Sequence, residues 1–567
     1  MKKFMTQSFR MLAFGTLALS LVLSSCKDDD KDDNTNPTFA DPTIVATAGQ
    51  SQVKPGDKVT FTIAVVAEAG LASVKEGTND VKTYTDAKTS DAISYEYTVP
   101  AEQAEGDLTL TFTVTDKQST PKTTTTTAKV TVTANPTPTI TVDAAISEDQ
   151  HWTADNFYVL KGNVYVEDGA ELTIDPGTII FGDKVTKGAL IVSRGGKIHA
   201  KGTAEAPIIF TSSAPVNFRN YGDWGGVVLL GHAQNNQSKD QTIEGITAAS
   251  GDNGLYGGVN SDTDNDSSGE FYYVRIEFAG IALSTDNELN GLTFGGVGSE
   301  TEVHHVQVSF SGDDSYEWFG GAVNTHHLVA FRGWDDEFDT DYGHHGKHQF
   351  LVSFRDPDKA DKSGSNGFES DNDAAGDTNE PQTAPVFSNV TFMGPFVYAA
   401  LKAGAIDNGN INGNYKNGAH IRRNSALKVY NSAWVGANIT GILFDKPSND
   451  AVVMNNYIGR ITGLAKNTSD GTTYDVSSFD TDNMIESPLN KIDLSDKFDG
   501  LSALGTLTAP SAMLAADSPL LSGATAMEDS YFVPTDYIGA FDDTNNWLEG
   551  WTNFDPNTTD YTAVSPQ

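Results

Sequence analysis

The sequence predicts an all-β protein whose larger part is a parallel β-helix, and three observations carry that prediction. Residues Thr301 to Pro357 repeat with a period of 22, so that Val306, Leu328 and Phe350 share a column. Val308, Ala330 and Val352 form a second column, His304, His326 and His348 a third, and Asp314, Asp336 and Asp358 a fourth. Within each repeat the alternation is that of a strand, Val306, Val308 and Phe310 opposing His305, Gln307 and Ser309. Gly and Asp punctuate the strands, and no stretch here sustains a helical period. A fixed period of this size marks a solenoid whose coils bury their apolar sides against neighbours about 4.8 Å away.

The chain has 567 residues, enough for two or three domains. Its net charge of −39 excludes a nucleic-acid partner, which needs a basic face, and disfavours a grip on polyanions without bound cations. The single cysteine, Cys26, excludes intramolecular disulfides and Cys-ligated metal.

In chain order, residues 1–25 read as a signal peptide. Lys2, Lys3 and Arg10 precede an apolar run, Met11 to Leu23, that is too short for an ordinary spanning helix. The run ends Leu23-Ser24-Ser25-Cys26, which resembles a bacterial lipobox and implies lipid on the Cys26 thiol. Residues 26–36 form an acidic tether containing Lys27-Asp28-Asp29-Asp30-Lys31-Asp32-Asp33, expected to be solvated. Directly after a lipidated cysteine, that run resembles the export signal that places lipoproteins of Bacteroidota-type bacteria on the outer face of the outer membrane.

Residues 37–136 carry short alternating strands, such as Lys58 to Val65, Leu108 to Val114 and Ala128 to Thr133. That pattern predicts an immunoglobulin-like β-sandwich of about 100 residues, without the Cys…Trp…Cys signature. Nothing in it looks catalytic, and a spacer is the simplest role. Asn135 to Thr139 is the linker.

The β-helix is expected over 140–500. Its first coils suggest a period of 18, with Leu172, Leu190 and Ile208 aligned and Ile174, Val192 and Phe210 beside them. A Gly- and Asn-rich excursion follows from the 220s to the 260s, and regular coils resume at Phe271. Residues 501–567, rich in aromatics, are expected to cap the solenoid's open end.

Three runs carry a family resemblance: Gly312-Asp-Asp-Ser-Tyr-Glu-Trp-Phe-Gly-Gly321, Trp334-Asp-Asp-Glu-Phe-Asp-Thr-Asp-Tyr-Gly343 and Gly364-Ser-Asn-Gly-Phe-Glu-Ser-Asp371. With the closing Gly550-Trp-Thr-Asn-Phe554, they resemble a mostly uncharacterised family of surface lipoproteins of Bacteroidota-type bacteria, from about residue 140 to the end. The resemblance implies a right-handed parallel β-helix of the pectin-lyase kind and hands over no activity.

The chemistry-bearing residues lie on the strands before the His column. Apolar alternation sends Tyr316 and Trp318, and Phe338 and Thr340, inward, leaving two outward columns. One runs Thr293, Glu317, Asp339, Glu369, His420, and the other Phe319, Asp341, Asp371, Arg422, Asp445. Carboxylates about 5 Å apart repel by roughly 3 kcal/mol at an effective dielectric of about 20, so this patch needs compensation. Three readings stay open: a hard cation held by Asp339, Asp341, Glu369 and Asp371, catalytic groups drawn from Glu317, Asp339, Glu369 and Arg422, or a solvated acidic face. Calcium is the cofactor that oxygen-only ligands select.

Phe319, Trp224 and Tyr256 are candidate sugar-stacking rings. The His column is expected to be a structural ladder rather than a metal site, and His344 and His345 the more accessible pair. Asp313, Asp314, Asp335 and Asp336 read as turn formers first.

The function expected is a cell-surface lipoprotein whose β-helix binds extracellular polymer, chiefly carbohydrate, as an accessory to uptake or adhesion. The partners to expect are the outer membrane through the lipid anchor, extracellular polysaccharide and a TonB-dependent uptake system. The alternatives are a carbohydrate-active enzyme, polysaccharide lyase or glycoside hydrolase, using the acidic face, and a structural surface scaffold.

Overall fold

Strict alternation builds the first unit. Along Lys58–Val66 every second side chain, from Val59 to Val65, is buried and the others are exposed. A computed structural model describes residues 39–133, 137–237, 240–246, 248–258, 263–284, 287–397, 411–459, 463–467, 482–485, 494, 496–499 and 510–562. These fall into two units that divide after Pro136. In the first, a sheet of Thr43–Ala48, Lys58–Val66 and Ser90–Thr98 shares a core with a five-stranded sheet. Phe61 meets Phe112 across that core, with ring centroids 5.6 Å apart, so the unit is a β-sandwich. Each such buried ring stabilises the unit by roughly 1.5–3 kcal/mol. Cys26 and the acidic tether lie outside the described residues.

The second unit is a parallel β-helix. In its early part each coil has three strands: Glu171–Ile174, Ile179–Gly182 and Ala189–Val192 pair in parallel with Lys197–Lys201, Ile208–Ser212 and Gly226–Leu230 of the next coil. The 18-residue period is therefore corrected. Leu172 pairs with Ile198 and Leu190 with Val227, so Leu172, Leu190 and Ile208 belong to three different sides rather than one stack. One strand and its turn take about nine residues here, so a spacing of 18 measures two sides of a three-sided coil.

The 22-residue period holds across one junction and then slips. Glu302 pairs with Asn324, His304 with His326 and Val306 with Leu328. On the next coil, however, His326 pairs with Gln349, Leu328 with Leu351 and Ala330 with Ser353. Phe350, Val352 and His348 are thus each one place out of the columns expected for them. Tyr316 still pairs with Phe338 at the 22-residue spacing, so the extra residue sits in the intervening turn, around Tyr342 to Gly346. A slip of one residue exchanges the faces of a strand. Leu351 enters the main core while Val352 faces outward.

Phe350 takes a different task. From Tyr273 on, the coils share a bend at a residue with positive φ, and the register aligns Tyr273, His305, His327, Phe350, Asn389, Asn431 and Asn455 there. Asn accepts this left-handed conformation readily, whereas bulky residues do so at some strain. The fourth column also changes at the third coil. The Asp336 amide donates to Asp314 Oδ1 at 2.8 Å, and the next amide in the stack is that of Asn366, not Asp358.

The described C-terminal residues lie along a flank of the coils, where a cap over the open end was expected. Leu494, Phe498 and residues 512–551 pack on the outward row Val329, Phe331, Val352, Phe354, Met393 and Val435. The segment runs backwards along the flank: Thr525 binds Asn431, Tyr537 binds Asn389, Val533 binds Gln349, Asn553 binds Gln307, and Tyr561 binds Glu277.

Because Leu351 and not Phe350 completes the inward column, Leu351→Ala should cost about 2–5 kcal/mol in urea denaturation. Phe350→Asn should cost distinctly less, since Asn suits the bend, as at Asn389 one coil on. Equal midpoints for the two variants would return Phe350 to the core column.

Candidate functional site

The site is built on the strands Leu292–Gly295, Tyr316–Phe319, Phe338–Asp341, Phe368–Ser370, Asn417–Arg422 and Thr440–Asp445, which pair in parallel in that order. The pairing stacks Thr293, Glu317, Asp339, Glu369 and His420 in one outward column. Phe319 pairs with Asp341 and Arg422 with Asp445 in the second. Asn290, Asp314, Asp336 and Asn366, each two residues before its strand, and Asn417, the first residue of its own, form a third column along the edge of the same face, tied by backbone bonds from one coil to the next. The patch is a recess rather than an exposed surface: Glu317, Asp314, Asp336 and Asp371 are buried.

Its floor is crowded with carboxyl groups. Oxygens of Asp314, Glu317 and Asp339 lie within 4.8 Å of one another, as do those of Asp336, Asp339 and Glu369, and those of Asp313, Asp314 and Asp335. Burial, then the charges of Glu317, Glu369 and Asp336, pushes Asp339 well above the usual carboxylate range. Burial and then Asp313 do the same to Glu317, while for Asp336 burial is followed by Glu369. Asp314 is raised by burial and by Asp313. Burial and mutual repulsion thus both favour the protonated form of the floor carboxyls, and a carboxyl that keeps its proton can donate as well as accept a hydrogen bond.

The far wall is cationic. Arg422 bonds Glu369 through Nη2 and donates from Nε to Asp371 Oδ1 at 2.7 Å, and Arg423 reaches Asp371 Oδ2 at 2.9 Å. Burial works against the Arg422 charge, but Glu369 and Asp371 outweigh it and raise its pKa. His420 stands between Glu369 Oε2 at 3.3 Å and Asp445 Oδ2 at 3.4 Å. Asn366 Nδ2 donates to Glu369 Oε2 at 3.3 Å, and Asn417 Nδ2 to Asn366 Oδ1 at 2.8 Å. Glu369, His420, Arg422, Asn366, Asn417 and Lys416 line a cavity of about 230 Å³ at this end.

Several side chains differ from the sequence expectations. Of the cation set Asp339, Asp341, Glu369 and Asp371, only Asp339 and Glu369 converge, and Asp336 joins them. Asp371 is committed to the two arginines, and Asp341 Oδ1 accepts the Tyr342 amide at 2.6 Å. The stacking rings are corrected outright, since Trp224, Phe319 and Tyr256 are all buried. Trp224 donates its indole N–H to the Glu277 carbonyl inside the coil. Phe319 and Tyr256 pack with Val228, Leu230, Ile243 and Ile246, where part of the long excursion folds over the outer face. The half-buried ring beside the acids is instead Tyr342, stacked on Phe319 with centroids 5.8 Å apart.

His344 is buried, not accessible: its Nε2 meets His348 Nε2 at 2.9 Å, its ring lies along Trp318, and burial lowers it to about 3. Asn290, Asn366 and Asn417 were missed, although a repeated signal marks them. Each begins an Asn-Gly doublet just before its strand or, for Asn417, at its first residue. The glycine is needed for close approach, because a Cβ on Gly367 would sit 2.5 Å from the Gly418 carbonyl oxygen.

The family described as "Pectate-lyase like beta helix domain" matches residues 144–478. No curated protein and no solved structure matches the chain.

An acid whose native pKa is raised lowers stability above its unfolded pKa, and that penalty disappears as pH falls to about 4. In chelator, Asp339→Asn should therefore melt above the wild type at pH 8, with the gain shrinking steadily towards pH 4. A gain independent of pH would mean that Asp339 is not held protonated.

Proposed function

We propose, for a chain that belongs to the pectate-lyase-like β-helix family, that the acidic recess binds a strand of extracellular polysaccharide. The observation that carries this reading is the union of buried, closely spaced carboxyls, Asn366 and Asn417 amides, and the Arg422–Glu369 pair along one strand face. Sugar hydroxyls present donors and acceptors at short intervals, and this face offers both in a repeating series. Tyr342 offers the recess a ring face. In this reading the lipid on Cys26 holds the chain at the outer face of the outer membrane. There it serves a TonB-dependent uptake system or adhesion.

A second reading, a glycoside hydrolase, is favoured by one specific feature. Asp339 Oδ1 is buried without a hydrogen-bond partner, beside a Glu369 that is paired with Arg422. An acid whose pKa is raised by burial, next to a carboxylate paired with an arginine, is the arrangement such hydrolysis uses. Calcium would compete for the same oxygens of Asp336, Asp339 and Glu369, displacing their protons.

A panel of polysaccharides titrated against the purified protein should include at least one ligand, whose affinity Glu369→Gln and Arg422→Ala lower at least about tenfold. Asp339→Asn, which keeps a neutral group in place, should leave binding nearly intact. Release of reducing ends by the wild type and not by Asp339→Asn would favour the hydrolase, whereas a panel with no ligand would remove the binding proposal.

Membrane placement has its own check. Labelled palmitate should enter the wild type but not Cys26→Ser, and protease added to intact cells should degrade the protein. Full protection from protease would end the surface assignment.

A further inference from the structure

The flank opposite the C-terminal tryptophans carries an unusual arrangement that the polysaccharide reading does not use. Two His-His doublets, His304-His305 and His326-His327, lie on adjacent coils in direct register. Within each doublet the rings stand nearly perpendicular, and their Nδ1 atoms face one another at 2.8 Å and 2.7 Å. Between coils the rings stack, His304 on His326 at 4.8 Å and His305 on His327 at 4.4 Å. Four imidazoles are thus gathered around a small volume, and a nitrogen from each of His304, His305 and His326 lies within 4.8 Å of the others.

We propose that His304, His305 and His326 bind a borderline transition-metal ion, zinc being the reference case, with His327 or solvent completing the coordination. Nitrogen-only ligands select zinc, copper or nickel over the calcium suited to the acidic recess. Because an imidazole lone pair lies in the ring plane, the parallel His304 and His326 rings must turn toward each other to meet one ion at the ~2.0–2.1 Å of a zinc–nitrogen bond.

Two features set this cluster apart from a simple packing ladder. The fold does not require imidazole at the bend, because Asn389, Asn431 and Asn455 occupy it in later coils. His305 and His327 accept φ values of 50° and 56° there, a conformation that Asn tolerates better, and it is this bend that turns both rings of a doublet together.

The surroundings suit a bound ion. Trp551 meets His305 edge-on at 68° and Trp547 meets His327 at 88°, so indole walls close one side. His304 retains 15% side-chain exposure, which leaves a way in, and Glu302 Oε1 sits 3.4 Å from His304 Nε2, placed to orient the ring.

The test uses the purified full-length protein, stripped with chelator and titrated with Zn²⁺ by calorimetry. One tightly bound equivalent is expected, with a rise in melting temperature on its addition. The double variant His305→Asn/His327→Asn gives both bends the residue of later coils. It should keep its fold by circular dichroism and lose that equivalent, as should His304→Gln/His326→Gln. Loaded with Cu²⁺, the wild type should show nitrogen hyperfine structure in its electron paramagnetic resonance spectrum. Absence of zinc uptake, an equivalent that survives in the folded Asn variant, or an oxygen-only copper spectrum would each overturn the proposal.

Discussion

The acidic face depends on a cation that never reaches it. Arg355 is fully buried within the coils, where it pairs with Glu337 at 3.1 Å. It also donates to the backbone carbonyls of Trp334, Asp335 and Lys359. Ser315 closes the ring by donating to the other Glu337 oxygen at 2.7 Å, and the guanidinium lies 4.8 Å from the centre of the Tyr415 ring. One side chain therefore fixes the turn that presents Asp335 and Asp336 and the start of the strand that presents Asp339. Such a pair contributes little net stability against an apolar substitute, yet removing one partner alone typically costs about 3–5 kcal/mol. Its value here lies in position: without it, the carboxyl column would be free to spread apart and relieve its own repulsion.

The three sides of the coil thus carry separate tasks with separate electrostatics. The groove side concentrates carboxyl oxygens, and burial raises their pKa. The bend carries imidazoles kept neutral by the same force acting in the opposite direction on a base. The next face is apolar and is covered by the C-terminal residues. A solenoid can divide labour in this way because a column of one side chain per coil becomes a stripe, and stripes on different sides are chemically independent.

How much of this could be read in the sequence follows from what each pattern measures. Period-2 alternation is local, so the strands and the outward columns from Glu317 to Glu369 and from Asp341 to Asp371 were legible. Register over several coils is not local, and one extra residue near Tyr342 to Gly346 was enough to move Phe350, Val352 and His348 out of their columns. The early 18-residue spacing misled for a related reason, since it counts strand-and-turn units without revealing that three of them close a coil. Trp224 and Tyr256 could not be placed at all by alternation, because they lie in the irregular excursion and bury themselves through long-range packing. The Asn-Gly doublets were the missed opportunity. They mark the groove edge as regularly as the acids mark its floor.

The backward course of the C-terminal residues has a consequence for how the protein is made. In a simple repeat array each coil is finished as soon as its neighbour forms. Here the row Val329, Phe331, Val352 and Phe354 stays uncovered until residues 512–551 have been made and double back over it. Tyr561 then closes onto Glu277, 284 positions earlier in the chain. A prematurely terminated chain would display a greasy stripe along most of its length, a ready flag for proteolysis. The packing of that row is thus settled late in synthesis, by side chains encoded some two hundred positions after the strands they cover.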